Sequence, residues 1–174
     1  MSDDVWKAEF RAVYDRALQA YEEGRQSPAT FLGAADRAFL ASIGCSAQEL
    51  FDFVEDYSGA REPSFEEVLG VTALRREWFL KRQGGEASKR RRSVAEFPAK
   101  TAELAGVEWL PRILTKAEAK LRGELPDELM YGCGGDRAFL RRVGVGLTEF
   151  LTAVRDAGGD EKPVIALVTG RRRS

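Results

Sequence analysis

The chain has 174 residues, 44% of them hydrophobic and 32% charged, a composition that fits a folded protein long enough for one well-buried domain or two small ones. Lys and Arg number 27 against 28 Asp and Glu, so a net charge of −1 sets up no global field toward nucleic acid or an acidic membrane. There is no histidine, which removes Ser-His-Asp and Cys-His nucleophiles, histidine bases and most zinc or non-haem iron sites, and two cysteines, Cys45 and Cys133, are too few for a four-cysteine site.

The first segment, Met1-Ser2-Asp3-Asp4, is acidic and carries no apolar core, so a secretory signal is not expected. Trp6, Phe10, Val13, Tyr14, Ala17 and Tyr21 then recur at spacings of three and four. That pattern predicts a helix from about Asp4 to Glu23, with Gly24 as its stop. A short helix holding Asp36-Arg37-Ala38-Phe39-Leu40 is expected next, ending at Gly44. Ser46 and Glu49 have the spacing of a capping box and open a helix over 47–57. Ser64 and Glu67 repeat that signal after Pro63 and launch a long helix to about Arg82. Residues 83–106, with Gly84-Gly85, Lys89-Arg90-Arg91-Arg92 and Pro98, are the one composition shift and read as an exposed linker.

Beyond it the chain repeats itself at an offset of 100. Asp136-Arg137-Ala138-Phe139-Leu140 restates residues 36–40, and nine of 21 positions are identical between 36–56 and 136–156. Leu110, Ile113, Leu114, Ala117 and Leu121 take up the register of the first helix, predicting a helix from Leu110 to Arg122 that starts on Pro111 and ends at Gly123. A short helix stopping at Gly144 follows, then one over 147–157 closing on Gly158-Gly159. Last comes a short apolar helix, Val164–Val168, whose composition also suits a β-run. The expected fold is all-α: two tandem copies of a three- to four-helix unit, packed as a pseudo-twofold helical domain. The expected divisions are 1–82, the linker 83–106, 107–170, and a basic tail 171–174. Phe39, Leu40, Phe139 and Leu140 are expected in the core, with Asp36 and Asp136 at helix N-termini.

Function is less legible. The repeated Asp-Arg-Ala-Phe-Leu string is explained by capping and core packing alone. Tyr131-Gly132-Cys133-Gly134-Gly135-Asp136 is the most unusual stretch: its glycines let backbone N–H groups approach an anion at a helix N-terminus, where a thiol also becomes a better nucleophile. With no histidine present, such a site would draw on Arg112 and Lys116 as charge partners, Tyr131 as a wall, Cys133 as the reactive group, and Gly134, Gly135 and Asp136 as its floor. Arg112 and Cys133 correspond to Ala12 and Gly33, so the site would occur once per chain. The pattern is not a phosphate-binding P-loop, because no Gly-Lys-Ser/Thr follows and no strand precedes it. Residues 37–43 and 47–57 have a helix–turn–helix look, but the second helix is acidic where a recognition helix should be basic. The runs Lys89–Arg92 and Arg171–Arg173 read as solvated segments with weak phosphate contacts at most. Trp6, Trp78, Trp109, Phe79 and Phe97 are core residues or, if exposed, anchors for a partner.

Leu110-Pro111-Arg112, Lys116, Gly123 and Tyr131-Gly132-Cys133 with Asp136 together resemble a bacterial family described only as domain of unknown function 5069. The likeness covers residues 107–170 and reaches 8–58 faintly through the repeat. Gly134-Gly135 stands where that family commonly has Pro-Leu. The resemblance implies a helical fold in a bacterial cytosol and supplies no mechanism. The expected function is a non-enzymatic helical binding or protein-interaction module, self-association included, cytoplasmic, with no cofactor, metal or membrane. The alternative is the small-molecule or anion site of the second repeat, thiol-dependent in its sharpest form. Weak nucleic-acid association through the basic linker is third.

Overall fold

The computed structural model describes residues 3–171; residues 172–174 of the expected basic tail lie outside them. The protein is all-α, 63% helical. In chain order the elements are α1 (Asp3–Glu22), α2 (Ala34–Ser42), α3 (Ala47–Ala60), α4 (Phe65–Lys81), a 3₁₀ turn (Val94–Glu96), β1 (Glu103–Leu104), β2 (Val107–Glu108), α5 (Leu110–Arg122), α6 (Gly134–Val143), α7 (Leu147–Ala157) and α8 (Glu161–Arg171). Both capping boxes form: Ser46 accepts from the Glu49 N–H and Ser64 from the Glu67 N–H, and each glutamate accepts in return from the N–H of its serine. The segment Val164–Val168 is helical, inside α8, and not a β-run.

The chain divides into two compact units between Ala87 and Ser88. In the first, α1 packs on α3, and Trp6, Phe10, Val13, Tyr14 and Ala17 are all nearly water-free. Tyr14 meets the Phe65 ring edge-on at 5.1 Å, and Phe31 meets Phe51 at 5.3 Å. Gly44 ends α2 at φ +75, and a Cβ there would stand 2.5 Å from the Phe79 ring. Only glycine allows both that backbone and that approach. In the second unit α5 packs on α7 and α7 on α8, around Ile113, Ala117, Leu140, Phe150, Leu151 and Val168.

The helices stand at matching positions in the two units: α2 with α6, α3 with α7, each pair starting 100 residues apart. Asp36 and Asp136 both lie in the first turn, and Gly44 and Gly144 both sit just past the last, at φ +75 and +70. Leu40, Phe139 and Leu140 are buried as expected, but Phe39 is only half-buried. The two rings differ in one neighbour. Arg142 lays its guanidinium 5.5 Å from the Phe139 ring centre, whereas at the matching position Ser42 turns its hydroxyl to the Phe39 carbonyl at 2.7 Å.

The linker expected over 83–106 needs correction. Residues from Ser88 onward belong to the second unit, and several of their side chains are tied to it. The Arg92 N–H bonds to the Glu124 carbonyl at 2.9 Å, Arg92 Nε and Ser88 Oγ reach the Glu124 carboxylate at 3.3 and 3.1 Å, and Phe97 is buried. Composition reads this segment as solvated because its arginines are charged, and Arg90 and Arg91 are indeed exposed, but the Arg92 side chain is only 11% exposed against Glu124, a partner 32 residues away that nothing local reveals. The two-residue strand β1 also lies here and pairs antiparallel with β2 just beyond it, Leu104 opposite Val107; no strand was expected, and two residues are too few to show a period. Among the described residues no helix is long and apolar enough to cross a membrane.

Candidate functional site

The site expected around Tyr131–Asp136 begins with how α5 starts. Trp109 occupies its N-cap in the left-handed region (φ +75, ψ −25), a conformation that costs a bulky residue energy, and its N–H closes the preceding turn on the Ala102 carbonyl at 3.1 Å. Pro111 then suits the first turn. The inner face of α5 carries Ile113 and Ala117 together with two lysines, Lys116 and Lys120, each 2% exposed. A lysine so buried must find a counter-charge.

For Lys116 that partner is Asp136. The Lys116 ammonium donates to Asp136 Oδ2, and neither side chain meets water. Both carboxylate oxygens are engaged: Oδ2 also accepts the Gly132 N–H at 2.9 Å, and Oδ1 accepts the Trp109 indole N–H at 2.9 Å. Three donors on one buried anion offset the cost of removing it from water. The same ammonium lies 3.3 Å from Cys133 Sγ. Cys133 is the N-cap of α6 and is half-buried, beside exposed Gly134. Gly132 (φ +92) turns the chain here, and Arg137 donates to its carbonyl at 2.6 Å. Gly135 has no room for a side chain, since a Cβ would fall 2.5 Å from the Trp109 ring.

Tyr131 is buried, donates its hydroxyl proton to the Leu147 carbonyl at 2.7 Å, and so links the turn to the start of α7. Burial and the nearby Asp136 charge push its pKa well above the usual tyrosine value, so it stays a neutral donor.

Of the seven residues expected at this site, six come together: Lys116, Tyr131, Cys133, Gly134, Gly135 and Asp136. Arg112 does not; its guanidinium reaches back to the Pro98 carbonyl at 2.6 Å and fastens the 88–106 segment. Trp109, read from sequence as a core or partner-facing aromatic, is a member of the cluster. Nothing local signals this, because its bond crosses 27 positions to Asp136.

The first unit holds the counterpart in an open form. Arg16 pairs with Asp36 at 2.7 Å, exactly 100 positions before Lys116 and Asp136, but the Arg16 side chain is half-exposed. Arg37 donates to the Leu32 carbonyl at 3.1 Å, as Arg137 does to Gly132. Gly33 stands in place of Cys133, and Glu9, a weak partner of Arg16 at 3.4 Å, in place of Trp109. The second unit has the same clasp sealed under a tryptophan, with a thiol added.

The basic run is also paired. Arg90 bonds to Glu96, Arg91 to Asp127 at 3.0 Å, and Arg92 to Glu124. Among the described residues no group of His, Cys, Asp and Glu could hold a metal ion. A shallow depression lined by Leu114, Glu118, Val154, Ala157, Asp160 and Val164 has room for about one water. Compared with known proteins, the chain matches no family model, no curated sequence and no solved structure.

Proposed function

We propose that this chain is a non-enzymatic helical module that acts by binding a protein partner, a second copy of itself included. The observation that supports this is how charge is divided at the unit boundary. Residues 1–87 hold 10 Lys and Arg against 16 Asp and Glu, a net −6, and residues 88–174 hold 17 against 12, a net +5. Each chain therefore offers one acidic and one basic body, and complementary fields of that kind speed encounter and set register between proteins. The full burial of Asp136 favours this reading over catalysis, because a carboxylate with no face to solvent cannot meet a substrate. Light scattering combined with affinity capture tests it: a strict monomer at low salt that retains no partner contradicts it.

The thiol-dependent small-molecule or anion site is the second reading, favoured by the contact of Lys116 with Cys133. If Cys133 alkylates at pH 7 no faster than an ordinary free thiol, that reading fails. Nucleic-acid association through Lys89–Arg92 is weakened by the acidic partner each arginine already has. Descent of the two units from one duplicated ancestor is supported by the matched Arg16–Asp36 and Lys116–Asp136 pairs. Kinship with the domain-of-unknown-function family 5069, and with it a bacterial cytosolic setting, rests on the residues quoted for the resemblance.

A further inference from the structure

We infer that Cys133 and Lys116 are an oxidation-sensitive pair, able to take one oxygen atom between sulfur and nitrogen and so cross-link α5 to the turn before α6. This is independent of partner binding and requires no ligand pocket. Two observations carry it together. Lys116 Nζ stands 3.3 Å from Cys133 Sγ, within the separation at which positioned groups react. The lysine is 2% exposed and anchored by Asp136, so that separation is held and is not one pose of a mobile surface chain. Half-buried Cys133, flanked by exposed Gly134, admits a small oxidant such as hydrogen peroxide.

The chemistry balances with two equivalents of peroxide. In the first step the sulfur attacks peroxide, the O–O bond breaks, an S–O bond forms, and sulfenic acid and one water result. In the second, an N–O bond forms between the Lys116 amine and the sulfenic oxygen. One N–H and the sulfenic O–H are given up, nitrogen is oxidised by two electrons, and the second peroxide is reduced to two waters. Lys116 enters as an ammonium, so it first passes a proton to the Asp136 oxygen it already bonds. The bridged nitrogen is neutral, which leaves Asp136 protonated and removes the charged acceptor of the Trp109 indole. Oxidation thus discharges the buried ion pair at the centre of the second unit. The first unit, with Gly33 and Arg16 at the matching places, has no sulfur there and cannot respond in this way.

The test uses the full chain exposed to graded hydrogen peroxide, digested without reductant and analysed by mass spectrometry. A peptide pair joining Lys116 to Cys133 is expected, about 14 Da heavier than the two unmodified peptides together (one oxygen gained, two hydrogens lost) and released by dithiothreitol. It should be absent from Cys133→Ser and from Lys116→Arg, which keeps the charge on Asp136 but has no amine. Tryptophan fluorescence should change with the cross-link and recover on reduction. If Lys116→Arg does not fold, Cys133→Ser and the peptide map still decide. Cys133 gaining only about 16, 32 or 48 Da of oxygen with no cross-link, or taking up none, overturns the inference.

Discussion

Lys116 and Asp136 face each other out of water, whereas Arg16 and Asp36, at the matching places 100 residues earlier, meet at the surface. Removing one partner should therefore have unequal effects. Asp136→Ala strands a buried ammonium and should cost about 3–5 kcal/mol. Asp36→Ala loosens a half-exposed pair and should cost about 1 kcal/mol or less. Chemical denaturation of the two variants checks this, and equal losses would show that Asp136 is not the strut its burial indicates.

Gly135→Ala places a methyl against the Trp109 ring and should destabilise the protein by about 1–3 kcal/mol, with altered tryptophan fluorescence. Gly134→Ala, one residue earlier, meets only Arg137 Nη2 at 3.9 Å and should stay within about 0.5 kcal/mol of the parent. The contrast between adjacent glycines isolates the close approach from any general effect of the turn.

Tyr14 is buried, and its hydroxyl has no hydrogen-bond partner among the described residues. Burial and the neighbouring Tyr57 push its pKa up to about 12. Tyr14→Phe should stabilise the protein by about 1 kcal/mol at pH 7, since it removes an unsatisfied polar group. The unfolded chain loses this proton near pH 10 and the folded chain only near 12, so the parent's stability is unaffected by this titration below pH 10 and falls as pH rises across that window. The variant's advantage should thus grow above pH 10, by about 1 kcal/mol at about pH 11. Melting curves of both proteins from pH 7 to 11 give the comparison, and a constant gap would contradict it.

Glu124 binds Ser88 and Arg92 with its carboxylate. Glu124→Ala should free the basic run, and trypsin should cut at Lys89–Arg92 several-fold faster than in the parent, because cleavage tracks local opening. Unchanged digestion would return residues 88–92 to the status of an open linker.

Much of the helical fold was legible in the sequence. Helix α5 begins and ends where Pro111 and Gly123 imply, and α7 ends where Gly158 implies, because caps and stops act within one turn of themselves. The cluster was half legible. Asp136 stood out through the repeat and the glycine turn, and Lys116 as a charge partner for that turn, but their burial did not, since nothing local distinguishes a buried lysine from a solvated one. Arg112 shares a helix face with Lys116, yet side chains in a first turn lean back toward the N-terminus, and Arg112 goes to Pro98 instead. Trp109 was missed as a site residue because its backbone conformation and its bond to Asp136 are both tertiary in origin.

The division of charge between the units gives the most direct test of the proposed role. Light scattering of the full chain should be recorded against protein concentration at low salt and again at about 0.5 M, where opposite charges are screened beyond a few ångströms. The account predicts a mass above that of one chain, or a stable complex with a captured partner, at low salt, and a shift toward the 19.3 kDa monomer at high salt. A single 19.3 kDa species at every concentration and both salts, with no partner retained, would contradict it.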